Sequence, residues 1–134
     1  MEQSISDINL SDKLIKWFLS NKRDLPWRKT KDPYLVWVSE IILQQTRIET
    51  GIKYYHSFIK KYPDVKLLAK SNKQQLLKIW EGLGYYSRAL NMHKAAKQVL
   101  LNHGGVFPKD YLSLIKLPGV GDYTASAISS ICNN

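Results

Sequence analysis

Apolar residues recur at helical spacing along almost the whole chain, and no stretch alternates as a strand would. Leu10, Leu14, Trp17 and Phe18 mark a first amphipathic helix, which ends before the break at Asp24-Leu25-Pro26-Trp27. A second helix begins near Pro33, a residue suited to an early helical position, and carries Glu40. Ile48 to Lys61 forms a third, with Ile52, Tyr55 and Ile59 on one side. After a turn at Pro63 comes a brief helix over Val65–Ala69. Ser71-Asn72-Lys73-Gln74 fits a capping box, followed by the apolar positions Leu76, Leu77 and Trp80. Gly82-Leu83-Gly84 interrupts the pattern, Arg88 to Asn102 resumes it, and Gly104-Gly105 stops it. A last pair is predicted over Tyr111–Leu117 and Tyr123–Ile131. The expected fold class is all-α, built from many short helices.

Within the second helix, Glu40 interrupts an apolar run. Its neighbours at three and four positions are Val36, Trp37, Leu43 and Gln44, three of them apolar. If that face is buried, desolvation raises the carboxyl pKa and makes Glu40 a proton donor near neutral pH. The plain alternative is a glutamate reaching water from a partly exposed face.

The segment Leu117-Pro118-Gly119-Val120-Gly121-Asp122-Tyr123-Thr124 is a helix-hairpin-helix pattern, placed at 111–131 with its flanking helices. Two glycines permit a tight turn, and the following helix aims free N–H groups at a phosphate without reading bases. Gly119, Val120, Gly121 and Thr124 are its candidate DNA contacts, while Asp122 either repels phosphate or caps the helix. In Gly82-Leu83-Gly84-Tyr85-Tyr86-Ser87-Arg88, paired tyrosines beside glycines can enter a base stack or simply fill a core. Arg88 grips phosphate or packs locally.

The 134 residues suffice for one sizeable core, and the 44% hydrophobic content argues against disorder. Twenty Lys and Arg against eleven Asp and Glu give a net charge of +9, which favours a polyanionic partner. No apolar run approaches the roughly 20 residues of a membrane span, and residues 1–20 lack a signal pattern. A cytoplasmic, DNA-associated location without a membrane partner is expected. Cys132 is the one cysteine, so an internal disulfide is impossible, and His56, His93 and His103 have no ligand-pair spacing.

Leu25-Pro26-Trp27-Arg28, Trp37 through Thr46, Trp80 through Arg88 and Leu117 through Ala125 together resemble the MutY-type adenine DNA glycosylases of the helix-hairpin-helix superfamily. The resemblance implies base excision repair: hydrolysis of the N-glycosidic bond of adenine mispaired with 8-oxoguanine or guanine in double-stranded DNA, after the base is flipped out. It implies that Glu40 protonates the adenine and that Tyr123 supports the cation-like sugar. Trp27 and Arg28 would line the adenine pocket. Gln45, Thr46 and Tyr85 would surround the opposing guanine, with Leu43 at a neighbouring minor-groove contact. Endonuclease III-type enzymes are similar but carry a lysine nucleophile where this chain has Tyr123, which makes a lyase the weaker reading.

By the same resemblance, the chain corresponds to a six-helix barrel half over 25–134 plus an N-terminal helix and linker over 1–24. The family's 4Fe–4S cluster, its four cysteine ligands and a second catalytic aspartate would lie further along, so the chain is expected to be an N-terminal fragment. The Leu14, Trp17 and Phe18 face is then expected to be largely uncovered, and the protein monomeric. The alternative is a non-catalytic helix-hairpin-helix module that holds DNA.

Overall fold

In the computed structural model the described residues are 30–44 and 46–133. The expected first helix, the boundary at residue 24 and the pocket positions Trp27 and Arg28 lie outside them, as does Gln45. Seven helices follow one another: α1 Pro33–Leu43, α2 Ile48–Lys61, α3 Val65–Ala69, α4 Lys73–Trp80, α5 Tyr86–Asn102, α6 Tyr111–Leu114 and α7 Asp122–Cys132. No strand occurs among the described residues.

α1 starts where Asp32 accepts a hydrogen bond from Tyr34 N at 2.9 Å and Pro33 fixes the first turn. Every residue of this helix except Pro33 and Leu35 is buried, so it is a central helix rather than an amphipathic surface one. It packs against α2 and α7. The α1–α2 approach is close because Gly51 lies between them: a Cβ there would stand 3.2 Å from Leu43 Cδ2. α2 buries Gly51, Tyr55 and Phe58, while Ile52 and Ile59 flank that stripe half-buried. The innermost line is thus turned slightly from the expected one, because Phe58 reaches deeper than Ile59.

Asp64 caps α3 by accepting from Leu67 N at 2.9 Å. The cap of α4 differs from the expected Ser71. Asn72 takes that place, its side chain accepting from Gln74 N and Gln75 N, while the Ser71 hydroxyl donates back to Leu68 O at 2.6 Å. An Asn immediately before the helix is as good a cap as a Ser, and Ser71 is held by the preceding turn instead.

α5 runs two residues further toward its N-terminus than predicted and packs against α3 and α4. It stops at Gly104 and Gly105, with φ of 61° and 81°, and Gly105 N bonds to Val99 O at 3.2 Å. α6 is a single turn rather than a helix to Leu117. Beyond it Lys116 N and Leu117 N bond to Ser113 O and Leu114 O in tighter turns, since Pro118 disfavours helical conformation in the residue before it. The core gathers Trp37, Tyr55, Phe58, Leu68, Leu76, Trp80, Met92, Leu114 and Ile128, all almost completely buried. Phe107, from the α5–α6 connection, lies 4.8 Å from Trp37 between ring centroids and closes the core over α1. Residues 31–134 form a compact unit of their own.

Candidate active site and nucleic-acid interface

Because α1 is buried on nearly every side, its single carboxylate goes in with it. Glu40 is 5% exposed, and no hydrogen-bond partner meets its carboxyl among the described residues. Removal from water, uncompensated by a cation, lifts its pKa from the ordinary 4.5 to about 7. The group is therefore about half protonated at neutral pH. Tyr123 enters from the second residue of α7 and is half-buried. Its hydroxyl is pushed well above the usual phenol range by burial and then by the negative charge of Glu40. The structure thus brings together two residues eighty-three positions apart, an acid near its midpoint and a neutral phenol.

The link between α1 and α7 is a hydrogen bond from Gln44 Nε2 to Thr124 Oγ1 at 3.3 Å. Thr124 is consequently buried, and its hydroxyl serves the α1–α7 seam rather than an outward phosphate contact. Gln44 itself was legible only as one of two amides after the apolar run; nothing in the sequence pointed to its partner.

At the hairpin, Val120 N bonds back to Leu117 O at 3.1 Å and its side chain is buried. Gly119 N, Gly121 N, Asp122 N and Tyr123 N have no acceptor among the described residues. Gly121 stands at the cap position of α7 and supplies no side-chain cap, so the positive end and free donors of the helix face outward. The two glycines differ in cause. Gly119 has φ 78° and lies against α5, where a Cβ would come within 2.9 Å of Asn91 Cβ. Gly121 has φ −93°, which any residue tolerates, and a Cβ there would meet nothing within 4 Å. Gly119 is required by the fold, and Gly121 leaves room for whatever approaches the free donors. Asp122 neither caps α7 nor stands free, because its carboxylate accepts from the Tyr111 hydroxyl.

The α4–α5 connection presents Tyr85, 64% exposed and in the left-handed region at φ 51°, with Tyr86 beside it. Arg88 is not directed outward. Its guanidinium donates to backbone carbonyls and lies over the Trp80 and Tyr85 rings at 5.3 and 5.7 Å, which is local packing rather than a phosphate grip. Leu43, expected at a groove contact, is also turned inward, its side chain against Gly51. Thr46 is half-buried, with its hydroxyl 3.4 Å from Gln44 O.

Residues 38–132 match the family described as HhH-GPD superfamily base excision DNA repair protein. The chain belongs to this family. Among curated proteins, the adenine DNA glycosylase of Buchnera aphidicola subsp. Baizongia pistaciae is 45% identical over 118 residues, covering 87% of this chain and 34% of that protein. The human adenine DNA glycosylase is 42% identical over 127 residues, 88% of this chain and 23% of that protein. The chain spans about a third of the length of the first Buchnera relatives it matches. Among solved structures, a thermostable thymine-DNA glycosylase superposes with a TM-score of 0.78 at 29% identity, covering 94% of this chain and 58% of that one. A non-covalent endonuclease III–DNA complex, at 22% identity and a TM-score of 0.72, shares the fold over 97% of this chain and 60% of its own.

Members of this family are expected from the sequence resemblance to carry a 4Fe–4S cluster. The residues present here do not fit one. Cys132 is the sequence's one cysteine and is buried, and no group of three or more His, Cys, Asp or Glu capable of holding a metal ion occurs among the described residues. No helix of the described residues is long and apolar enough to cross a membrane.

Proposed function

We propose that this chain carries the acid-bearing and DNA-holding part of an adenine DNA glycosylase, which removes adenine opposite 8-oxoguanine or guanine in duplex DNA. The observation that carries the reading is Glu40: a buried carboxyl poised near pKa 7, next to a neutral tyrosine, on the helix joined to the hairpin. A structural helix gains nothing from an unpaired buried carboxyl, whereas a purine leaving group needs a proton. Protonated Glu40 donates that proton to the adenine ring, and the C1′–N9 bond then breaks with its electron pair passing to the protonated base, which leaves as neutral adenine. Water adds at C1′ of the oxocarbenium-like sugar and gives up a proton to the ionised carboxylate or to solvent, which completes the hydrolysis. Tyr123 keeps its proton throughout, so it contributes a phenol dipole and not a second charge. The hairpin donors from Gly119 to Tyr123 hold a phosphate and fix the strand. Tyr85, Gln45 and Thr46 enter around the opposing guanine. Trp27 and Arg28 belong to the adenine pocket by the same reading.

Relatives named adenine DNA glycosylase, 40–45% identical over most of this chain, favour adenine over the thymine named for the 29% identical structure. Tyr123 also supports a hydrolytic rather than a Schiff-base route, because a phenol cannot form an imine.

Single-turnover release of adenine from a duplex bearing adenine opposite 8-oxoguanine tests the proposal, with Glu40→Gln in parallel. Release by the native chain and none by the variant is expected. Tight binding of the duplex by folded protein without any release would favour a DNA-holding module instead.

A further inference from the structure

The side chain of Arg88 lies between two segments distant in sequence. Nη1 donates to the carbonyl of Ile41 at 2.8 Å and to that of Gln44, at the C-terminal end of the helix that carries Glu40. Nη2 lies 3.5 Å from the carbonyls of Leu83 and Gly84, the backbone that leads into Tyr85. The guanidinium lies 5.3 Å from the Trp80 ring, whose Nε1–H donates to Gly84 O at 3.0 Å, and 5.7 Å from the Tyr85 ring. A cation is favourable at the negative end of a helix, and here it adds a second donor to Ile41 O, which already accepts from Gln44 N at 3.3 Å. A planar fork carries its donors on separate nitrogens in fixed directions and can hold two backbones in one geometry, whereas a lysine offers a single nitrogen on a flexible stem.

We infer that Arg88 is a positioning residue that locks the C-terminal end of α1, through Ile41 and Gln44, and the segment before α5 into one register. The two elements assigned to the opposing guanine therefore enter DNA as a single preformed unit. The chain of contacts extends further, because Gln44 offers its carbonyl to Arg88 and its amide to Thr124 of the hairpin helix. Tyr85 is held in a left-handed backbone conformation that a tyrosine does not favour unaided; Trp80 Nε1 at 3.0 Å from Gly84 O fixes the backbone before it, and the Arg88 contacts at 3.5 Å add to that restraint. The consequence for mispair recognition rests on the DNA reading above; the mechanical coupling of the two segments is a property of the chain itself.

The test is amide hydrogen exchange on the whole chain, with Arg88→Lys and Tyr85→Gly, together with binding to a matched duplex and to one bearing adenine opposite 8-oxoguanine. In the native chain, the amides of Gln44, Thr46 and Leu83 to Tyr85 should open together, with one urea dependence. In Arg88→Lys, exchange at both segments should rise together by about tenfold or more, as charge-assisted bonds are lost, while the core of α7 keeps its protection. Tyr85→Gly should loosen only the second segment. The ratio of mispair to matched affinity should fall about tenfold in Arg88→Lys, with matched-duplex affinity held within about twofold. Separate opening of the two segments in the native chain would overturn the coupling even if the variant failed to fold. So would a variant effect confined to one segment or spread evenly over the chain. Joint loosening with an unchanged affinity ratio would overturn the role in recognition. If the native chain itself fails to prefer the mispair, the adenine-glycosylase reading falls, while the exchange data still decide whether Arg88 couples the segments.

Discussion

Glu40→Gln should make the protein more stable at pH 8 and leave it unchanged at pH 4.5. The carboxyl is taken out of water with no cation or hydrogen bond among the described residues to compensate, so folding favours its protonated form. Its folded pKa of about 7 exceeds the ordinary 4.5, and between those values the native state binds a proton that the unfolded state has released. This contribution to stability is full below pH 4.5, declines as pH rises, and is gone above about 7. At roughly 1.4 kcal/mol for each tenfold displacement of the ionisation equilibrium, the loss amounts to about 3 kcal/mol. Glutamine has the shape of the protonated acid and no titration, so the variant escapes the loss. Urea unfolding of both chains from pH 4 to 8.5 measures it. With a slope on the order of 1.5 kcal/mol per molar, the midpoints should coincide at low pH and separate by about 2 M at pH 8. His93 titrates in the opposite sense, burial holding its pKa down, so its stabilisation is present at high pH and lost on acidification. It is common to both chains and cancels in the difference. Parallel stability curves, with a gap that does not change with pH, would refute the argument that Glu40 is held uncompensated in the interior.

The two hairpin glycines should separate cleanly. Gly119→Ala, at φ 78° and 2.9 Å from Asn91, should lower unfolding free energy by about 1–3 kcal/mol in a urea titration, whereas Gly121→Ala should fold within about 0.5 kcal/mol of the native chain. Fluorescence anisotropy should show the reverse ranking at the interface, with Gly121→Ala weakening duplex binding despite its intact fold. Asn72→Ala should cost about 1 kcal/mol by removing the two hydrogen bonds that start α4, while Ser71→Ala should cost less, again by chemical denaturation. The rate of adenine release should fall as pH rises through about 7, following the protonated fraction of Glu40, and single-turnover rates from pH 5.5 to 9 read this directly.

Much of the helix plan is legible in the sequence because it depends on local signals. Pro33 with Asp32 starts α1, Asp64 starts α3, and Gly104-Gly105 ends α5, each through contacts within a few residues. Ser71 and Asn72 show where local signals become ambiguous, since either residue can cap and only the preceding turn decides which is free to do so. The departures at the site have another origin. Leu43, Thr124 and Arg88 are residue types found on DNA-binding surfaces, yet each is turned inward by a partner on another element: Gly51 on the next helix, and, far along the chain, Gln44 for Thr124 and the carbonyls of Ile41 and Gln44 for Arg88. A motif specifies which residues gather at a site, and long-range packing decides which face the ligand and which hold the others still.

That division gives the site its logic. The groups available for chemistry are poorly satisfied: Glu40 without a hydrogen bond among the described residues, the hairpin donors without acceptors, Tyr85 exposed on a left-handed backbone. The groups beside them are partnered, Gln44 with Thr124, Tyr111 with Asp122 at the surface, and the terminal nitrogens of Arg88 with backbone carbonyls, its buried Nε alone lacking a partner among the described residues. Unsatisfied groups keep their interaction free energy for a ligand only if they cannot relax toward one another. The second layer prevents that relaxation, so changes to it should alter mispair discrimination more than overall DNA affinity. Glu40→Gln acts oppositely, relieving the folded state while removing the proton that the leaving base requires. Stability gained at pH 8 together with catalysis lost there would be the mark of a carboxyl kept buried for its chemistry.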